Sequence, residues 1–513
     1  MKCRIWMWMT AVCLFAALAT PAWITAQDNN SQENRHRYHQ YKLVDVGTLG
    51  GPASYYSAAG VGSQILNNAG TVIGYGDTAL PDPYFPDCFD PDCYLGHAFR
   101  WQNGVLTDLG SLPGGYNSAI SAINARGWIA GFSQNGVIDP VTNFPAVHAV
   151  LWRDRQTIDL GTLGGGYQSN ALYVNDGGQV VGLSTINTDP DPFSFVGTPL
   201  HVFLWQNGAI EDIGTLGGPD AFPSVGGINQ RSRLIVGASY VNSIPNPTTG
   251  IPTLDPFLWK NGTMTDLGTL GGTIGGAGPA NNRGQIIGQS NLSGDIISHA
   301  FFWDHGVLTD LGTLGGDNAT ANWLNDAGAV VGRADLPGSQ RFGAFLWKNG
   351  VMTGLGTIGS DPCANARAIN SQGQIVGSTS DCAHPLRAFL WEQGGPMVDL
   401  NDLIRDSSGF RVLIAYNINE RGEIAGTGVP AGCPRVDSCG HVFLLIPCDE
   451  QHPGVCEENS RIEAPTPQIN APRLEYPATM QQGSESRVNL IEQIRNRLMQ
   501  SHHIPGQAGV PLK

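Results

Sequence analysis

Hydrophobic positions along this chain fall in short runs bounded by Gly, Asn or Asp, the pattern of strands joined by tight turns, and the runs return in a fixed order. A run of small residues ends in Asn, with Gly three positions on, at Asn67, Asn124, Asn175, Asn281, Asn325, Asn370 and Asn419; after Asn229 the glycine is replaced by Ser232. Next comes a run such as GTVIG, GWIAG, GQVVG or GQIIG. A third run follows: HAFRW at His97, HAVLW at His148, HVFLW at His201, PFLW at Pro256, HAFFW at His299, GAFLW at Gly343, RAFLW at Arg387 and HVFLL at His441. A fourth run ends in a heptad like DLGTLGG, at Asp45, Asp108, Asp159, Asp212, Asp266 and Asp310, decaying to GLGTIGS at Gly354 and DLNDLI at Asp399. Asn-Gly stands between the third and fourth runs at Asn103, Asn207, Asn261 and Asn349. That dipeptide tolerates the positive φ of a type I′ hairpin at both positions. Four antiparallel strands recurring every 44 to 63 residues predict propeller blades.

The two ends of the array predict closure. The chain enters with only a DLG-type strand, Tyr41 to Val46, and leaves with a HAFLW-type strand, His441 to Ile446, that lacks its DLG partner. Pairing the two completes an eighth blade and leaves no open sheet edge. An open solenoid would want polar capping repeats, and none is visible. The expected fold class is therefore all-β: a single β-propeller of about eight four-stranded blades over residues 41–447, closed by the N-terminal strand. The Asn-ended run, rich in small side chains, suits the crowded axis and is placed innermost. The Phe and Trp of HAFLW are expected between neighbouring blades, where aromatic burial contributes most.

The repeats resemble the HAF-type extracellular repeat family, named for the tripeptide at His97-Ala98-Phe99 and His299-Ala300-Phe301, over roughly Tyr41 to Pro447. The resemblance implies a secreted repeat protein and brings no defined activity or catalytic residues.

The flanks differ from the array. Lys2 and Arg4, an apolar run from Ile5 to Leu18 and small residues before Gln27 predict a signal peptide over 1–26, followed by a linker over 27–40. Residues 448–483 read as a Cys/Pro-rich linker, 484–501 as an amphipathic helix with Val488, Ile491, Ile494 and Leu498 on one stripe, and 502–513 as a tail. The chain carries 28 Lys plus Arg against 43 Asp plus Glu, a formal charge of −15, which disfavours nucleic acid and anionic lipid as partners. No segment after the signal has the apolar length to span a membrane. Eight cysteines outside the signal fall as near neighbours, and an oxidising destination favours the local bridges Cys88–Cys93, Cys363–Cys382, Cys433–Cys439 and Cys448–Cys456.

A residue that recurs once per blade builds the blade. The repeated Asp is expected to accept turn N–H bonds, and the repeated His to be a hydrogen-bonded structural residue in preference to one of a ring of metal ligands. No catalytic, cofactor or metal motif is present. Function is expected where the repeat breaks, on the face carrying long connections between the second and third strands: Tyr75 to Gly96, Ser133 to Val147, Ser184 to Leu200 and Ser239 to Asp255. The candidate ligand residues are Asp82, Tyr84, Phe85, Asp87, Phe89, Asp90, Asp92 and Tyr94 in the first connection, and Asp189, Asp191, Phe193 and Phe195 in the third. Carboxylates beside aromatics could stack a sugar or hold Ca²⁺; otherwise they are a solvated loop stapled by Cys88 and Cys93. The expected function is a secreted, non-catalytic binding module for an extracellular glycan or protein. The alternatives are a glycan-active hydrolase or lyase with carboxylates paired across the central funnel, and a purely structural surface protein.

Overall fold

The computed structural model describes residues 38–56, 63–85, 88–90, 92–194, 196–229, 233–392 and 394–456. The signal peptide, all but the end of the linker at 27–40, most of the linker at 448–483, the helix at 484–501 and the tail lie outside them. Six sheets have four strands, and one of eight strands is two blades joined by a single parallel pairing, Leu254 with Ile274. There are thus eight blades, over residues 50–108, 118–161, 169–212, 221–266, 271–310, 319–354, 363–399, and 411–447 with Tyr41–Gly47. The last blade closes the ring as the motif order demands. Tyr41–Gly47 runs antiparallel to His441–Pro447, Tyr41 opposite Pro447 and Leu43 opposite Leu445. The eighth blade also meets the first, since Ser54 N–H donates to the Gly440 carbonyl at 2.8 Å.

The motifs explain each blade. Asn103 and Gly104, at φ of 50° and 81°, form the expected hairpin turn, and the same pair recurs at Asn207, Asn261 and Asn349. The closing glycine of the GQVVG run leaves room for an aromatic ring of the neighbouring strand, a phenylalanine in seven blades and Trp152 in the second: a Cβ on Gly182 would lie 2.0 Å from the Asn170 carbonyl oxygen and 2.7 Å from the Phe203 ring. Phe203 and Trp205 in turn pack on Leu151 and Leu160 of the preceding blade. Phe302 of the fifth blade meets Trp347 of the sixth at 5.0 Å between ring centroids. The aromatics therefore lie between blades, as expected.

At the inner strands seven of the eight repeated asparagines bond to the next blade, while Asn175 donates to Gln179 of its own turn at 2.9 Å. Asn67 donates from Nδ2 to the carbonyl of Asn124, Asn124 to Asn175, Asn229 to Asn281, Asn281 to Asn325, Asn325 to Asn370, Asn370 to Asn419, and Asn419 back to Asn67, at 2.9–3.1 Å. Each Oδ1 meanwhile accepts N–H groups of its own turn, as Asn325 does from Ala327 and Ala329. Asn supplies both an acceptor and donors; Asp would serve the turn alone. Asn325→Asp keeps the two turn bonds and loses the bond to the next blade, so urea unfolding should show a loss of about 1–3 kcal/mol. An unchanged midpoint would mean that these inter-blade bonds contribute nothing.

All four local disulfides are present, with Cα–Cα distances of 5.1–5.8 Å, and they suit an oxidising, extracytoplasmic setting. Among the described residues no helix is long and apolar enough to cross a membrane.

Candidate functional site

The repeated polar residues account for one another. His97, His148, His201, His299 and His441 each bond through Nδ1 to the Asp that ends the adjacent strand, Asp108, Asp159, Asp212, Asp310 and Asp45, at 2.7–3.0 Å. The same carboxylates accept the N–H of the glycine two positions on, as Asp108 does from Gly110 and Asp310 from Gly312. Each histidine thus uses Nδ1 within its own blade, while Nε2 of His97 and His201 reaches the carbonyls of Tyr116 and Pro219 in the crossings that follow, at 3.0 and 3.2 Å. Burial pushes the Asp159 and Asp212 carboxyls up, but the histidine hydrogen bonds outweigh it and the net shift is down. For His201 burial acts downward, and the bond and charge of Asp212 carry it above the usual imidazole value.

The exceptions are informative. The sixth blade has Gly343 and Gly354 where five others have His and Asp, so both partners are absent together. In the seventh, Arg387 replaces the histidine and pairs with Asp399 at 3.4 Å and Asp361 at 2.9 Å. In the fourth, Asp255 takes the histidine position beside Asp266. Burial, then the charge and hydrogen bond of Asp266, push Asp255 up to about 7.

The long connections all open on one face, with the DLGTLGG crossings. In the first of them Asp82 is buried, and its carboxylate accepts the N–H groups of Tyr84 and Phe89 and the side-chain amide of Asn117, each at 2.9 Å. Tyr84 packs edge-on to Tyr116, and Phe89 lies against Phe132. Phe85 stands 74% exposed. Asp92 accepts the Tyr55 hydroxyl at 2.8 Å and the Tyr94 N–H at 3.3 Å. Beside it lie Asp90 and Asp77, both within the first long connection of the sequence. Asp77 is wholly buried and accepts the Ala53 N–H at 2.9 Å through Oδ2. Burial and the neighbouring Asp92 push it up to about 8, and push Asp90 to about 7. Tyr55 and Tyr75 stack over this group at 5.1 Å. Asp87 lies outside the described residues.

In the third connection Asp189 is exposed, while Asp191 is buried and accepts the Phe193 N–H at 2.8 Å. Phe193 packs against Tyr240 of the fourth blade at 6.3 Å. Phe195 lies outside the described residues. Asp220 shares this corner, accepts the Leu200 N–H at 2.7 Å, and is pushed by burial up to about 7. The two loops are therefore not brought together into one pocket; each carboxylate group is built within its own part of the ring. Among the described residues no three His, Cys, Asp or Glu side chains come together as a metal ligand set.

The loop face is also where apolar side chains meet solvent. Among the described residues twelve large hydrophobics are exposed, and nine sit on this face: Leu80, Phe85, Val137, Ile138, Val141, Tyr167, Ile244, Ile296 and Leu386. Val105, Val307 and Val351, the other three, begin outer strands at the opposite end.

No protein-family model matches this chain, and no curated protein matches it. Solved structures overlay on it loosely. The β-propeller domain of the Trilobed protease from Pyrococcus furiosus is similar at 10% identity and a TM-score of 0.40, over 71% of this chain and 97% of that one. An acylaminoacyl peptidase from Pyrococcus horikoshii is similar at 12% identity and a TM-score of 0.39; the match covers 71% of this chain and only 56% of the peptidase. A polysaccharide lyase, an ulvan lyase, is similar at 9% identity and a TM-score of 0.30, over 72% of this chain and 99% of that one.

Proposed function

We propose that this chain is a secreted repeat protein of the HAF type that acts as a non-catalytic interaction module, holding an extracellular partner on its loop-rich face. The observation that carries the reading is the one-sided distribution of exposed apolar side chains. Scattered hydrophobics are ordinary on a surface, whereas a set concentrated on one face, raised on connections from a rigid ring, marks an interaction surface. Most are aliphatic, which favours a protein partner; Phe85, beside Tyr84, is the part of the face suited to stacking a sugar.

The reading of a glycan-active enzyme draws on Asp77 and Asp90, which hold protons near neutrality beside Asp92. Against it, these carboxyls belong to a single blade and are not paired across the funnel, and Asp77 is closed to solvent. Release of reducing ends from polysaccharides by the purified chain would reverse this preference.

The test measures the mature chain on arrays of glycans and of purified extracellular proteins, beside the variant F85S/I244S/I296S. Because these side chains are 74–86% exposed, the variant should melt at the same temperature, and it should lose at least about tenfold in affinity. Equal retention of variant and parent, or no ligand for either, would defeat the proposal.

A further inference from the structure

The fourth position of the HAFLW run is Leu151, Leu204, Leu258, Phe302, Leu346, Leu390 and Leu444 in seven blades, and Arg100 in the first. Where the following blade has a tryptophan this side chain packs under it, as Leu151 does with Trp205 and Leu204 with Trp259. Between the first and second blades an arginine meets Trp152 instead, and a cleft of about 750 Å³ lies there, lined by both.

Two further arginines line the same cleft, Arg153 and Arg155. Arg155 departs from the repeat as well. The hairpins of five other blades put Gly104, Gly208, Gly262, Gly306 or Gly350 at its position, whereas here Asp154 and Arg155 hold φ of 52° and 64°. A left-handed backbone at a long side chain costs on the order of 1 kcal/mol. Arg153 lines the cleft only in part, since its guanidinium lies 5.4 Å over the Trp128 ring, which packs toward the third blade and on which Arg126 also rests at 5.1 Å.

None of Arg100, Arg153 and Arg155 makes an ion pair among the described residues. Asp108, at the edge of the cleft, is occupied by His97 and the Gly110 N–H. Asp154 also lines the cleft, but among the described residues Arg100 and Arg155 line it without a carboxylate partner of their own. Their planar N–H forks suit the oxygens of a tetrahedral anion. Thr107, Ser111 and Thr157 add hydroxyls to the same wall.

We propose that the cleft between the first and second blades binds a small tetrahedral oxyanion, sulfate or phosphate, free or as an ester on a larger molecule. The net charge of −15 works against a long polyanion and leaves a single anionic group as the fitting occupant. This site lies on the flank of the ring and is independent of the loop-face proposal.

Titration calorimetry of the mature chain at low ionic strength would use sodium sulfate, sodium phosphate, and a monosaccharide sulfate and phosphate, with the unesterified sugar as control. Binding of the inorganic anions identifies a free ligand; binding of the esters alone identifies a carried group; either supports the site. The variants restore the repeat. Arg100→Leu refills the interface and should raise the melting temperature, and D154N/R155G restores the glycine turn; each should weaken anion binding by about tenfold or more. If R100L misfolds, D154N/R155G alone decides. Binding by neither class of anion, or undiminished binding by the folded variants, overturns the proposal.

Discussion

A chain that begins at Thr48 should fail to fold. The strand that it lacks, Tyr41–Gly47, covers the whole length of the last strand, and Tyr41, Val44 and Val46 are buried along it. Burying three such side chains contributes roughly 6 kcal/mol, and the ladder of backbone hydrogen bonds adds about 0.5–1.5 kcal/mol for each. That total is of the order of the whole stability of a typical protein, about 5–15 kcal/mol. The loss also strips the Asp45 partner from His441 and the Gln40 carbonyl from the Cys448 N–H at 2.8 Å. It exposes a long apolar edge, Val442, Phe443, Leu444 and Leu445, which invites pairing between chains. The truncated chain is expected in aggregates, and a synthetic peptide of residues 38–48 added during refolding should restore a soluble monomer on size exclusion. A soluble monomer without the peptide, melting within a few degrees of the parent, would refute closure by this strand.

Much of this architecture is legible because a repeat carries the same instruction eight times. Runs bounded by Asn, Gly and Asp define the four strands, and the mismatched motifs at the two ends define the closure. The partnership of the side chains is harder to see. Histidine and aspartate each read as structural, but their pairing lies in an offset of eleven residues, as from His97 to Asp108 and from His299 to Asp310. The signal that reveals it is the joint absence at Gly343 and Gly354. The asparagines likewise read as turn residues, although a turn alone would accept Asp or Ser. The constancy of Asn at eight positions calls for a residue that also donates, and at seven of them the donation is an inter-blade bond.

The candidate site is less legible, because it lies where the repeat stops. Composition alone makes the carboxylates of the first connection look available to a ligand. The fold turns Asp82 and Asp92 toward backbone and tyrosine partners of the same region, while Asp77, grouped with them in the sequence, lies on a strand and is buried. Strand residues and loop residues meet there through the pairing of Asp77 with Gly96, a register that loop composition does not reveal. Arg100 is visible in the sequence as the odd member of its column. Its consequence needs the neighbouring blade, since only the placement of Trp152, Arg153 and Arg155 turns one substitution into a cleft.

The buried carboxyls should make this protein more stable in mild acid than at neutral or alkaline pH. Asp90, Asp220 and Asp255 are raised from 3.8 to about 7, and Asp77 to about 8, burial being the leading cause in each. Since these groups hold protons in the folded state that the unfolded chain has released, stability falls as pH rises from about 4 toward 8. His201, raised by Asp212, acts in the same direction, because its contribution is lost as pH climbs through its folded value. Asp159 and Asp212, which are lowered, act only at the acid end, where their contribution disappears as pH falls. The melting temperature should therefore be highest near pH 5 and drop by about 5–10 °C by pH 8. Asp255→His isolates one of these carboxyls. It installs in the fourth blade the His–Asp pair that five others carry, removes the repulsion with Asp266, and should raise stability at pH 8 by about 1–2 kcal/mol while changing little at pH 5. A variant that gained equally at both pH values would show that packing, not the shared proton of the two carboxyls, sets the difference, and a flat pH profile for the parent would remove the basis for the whole set.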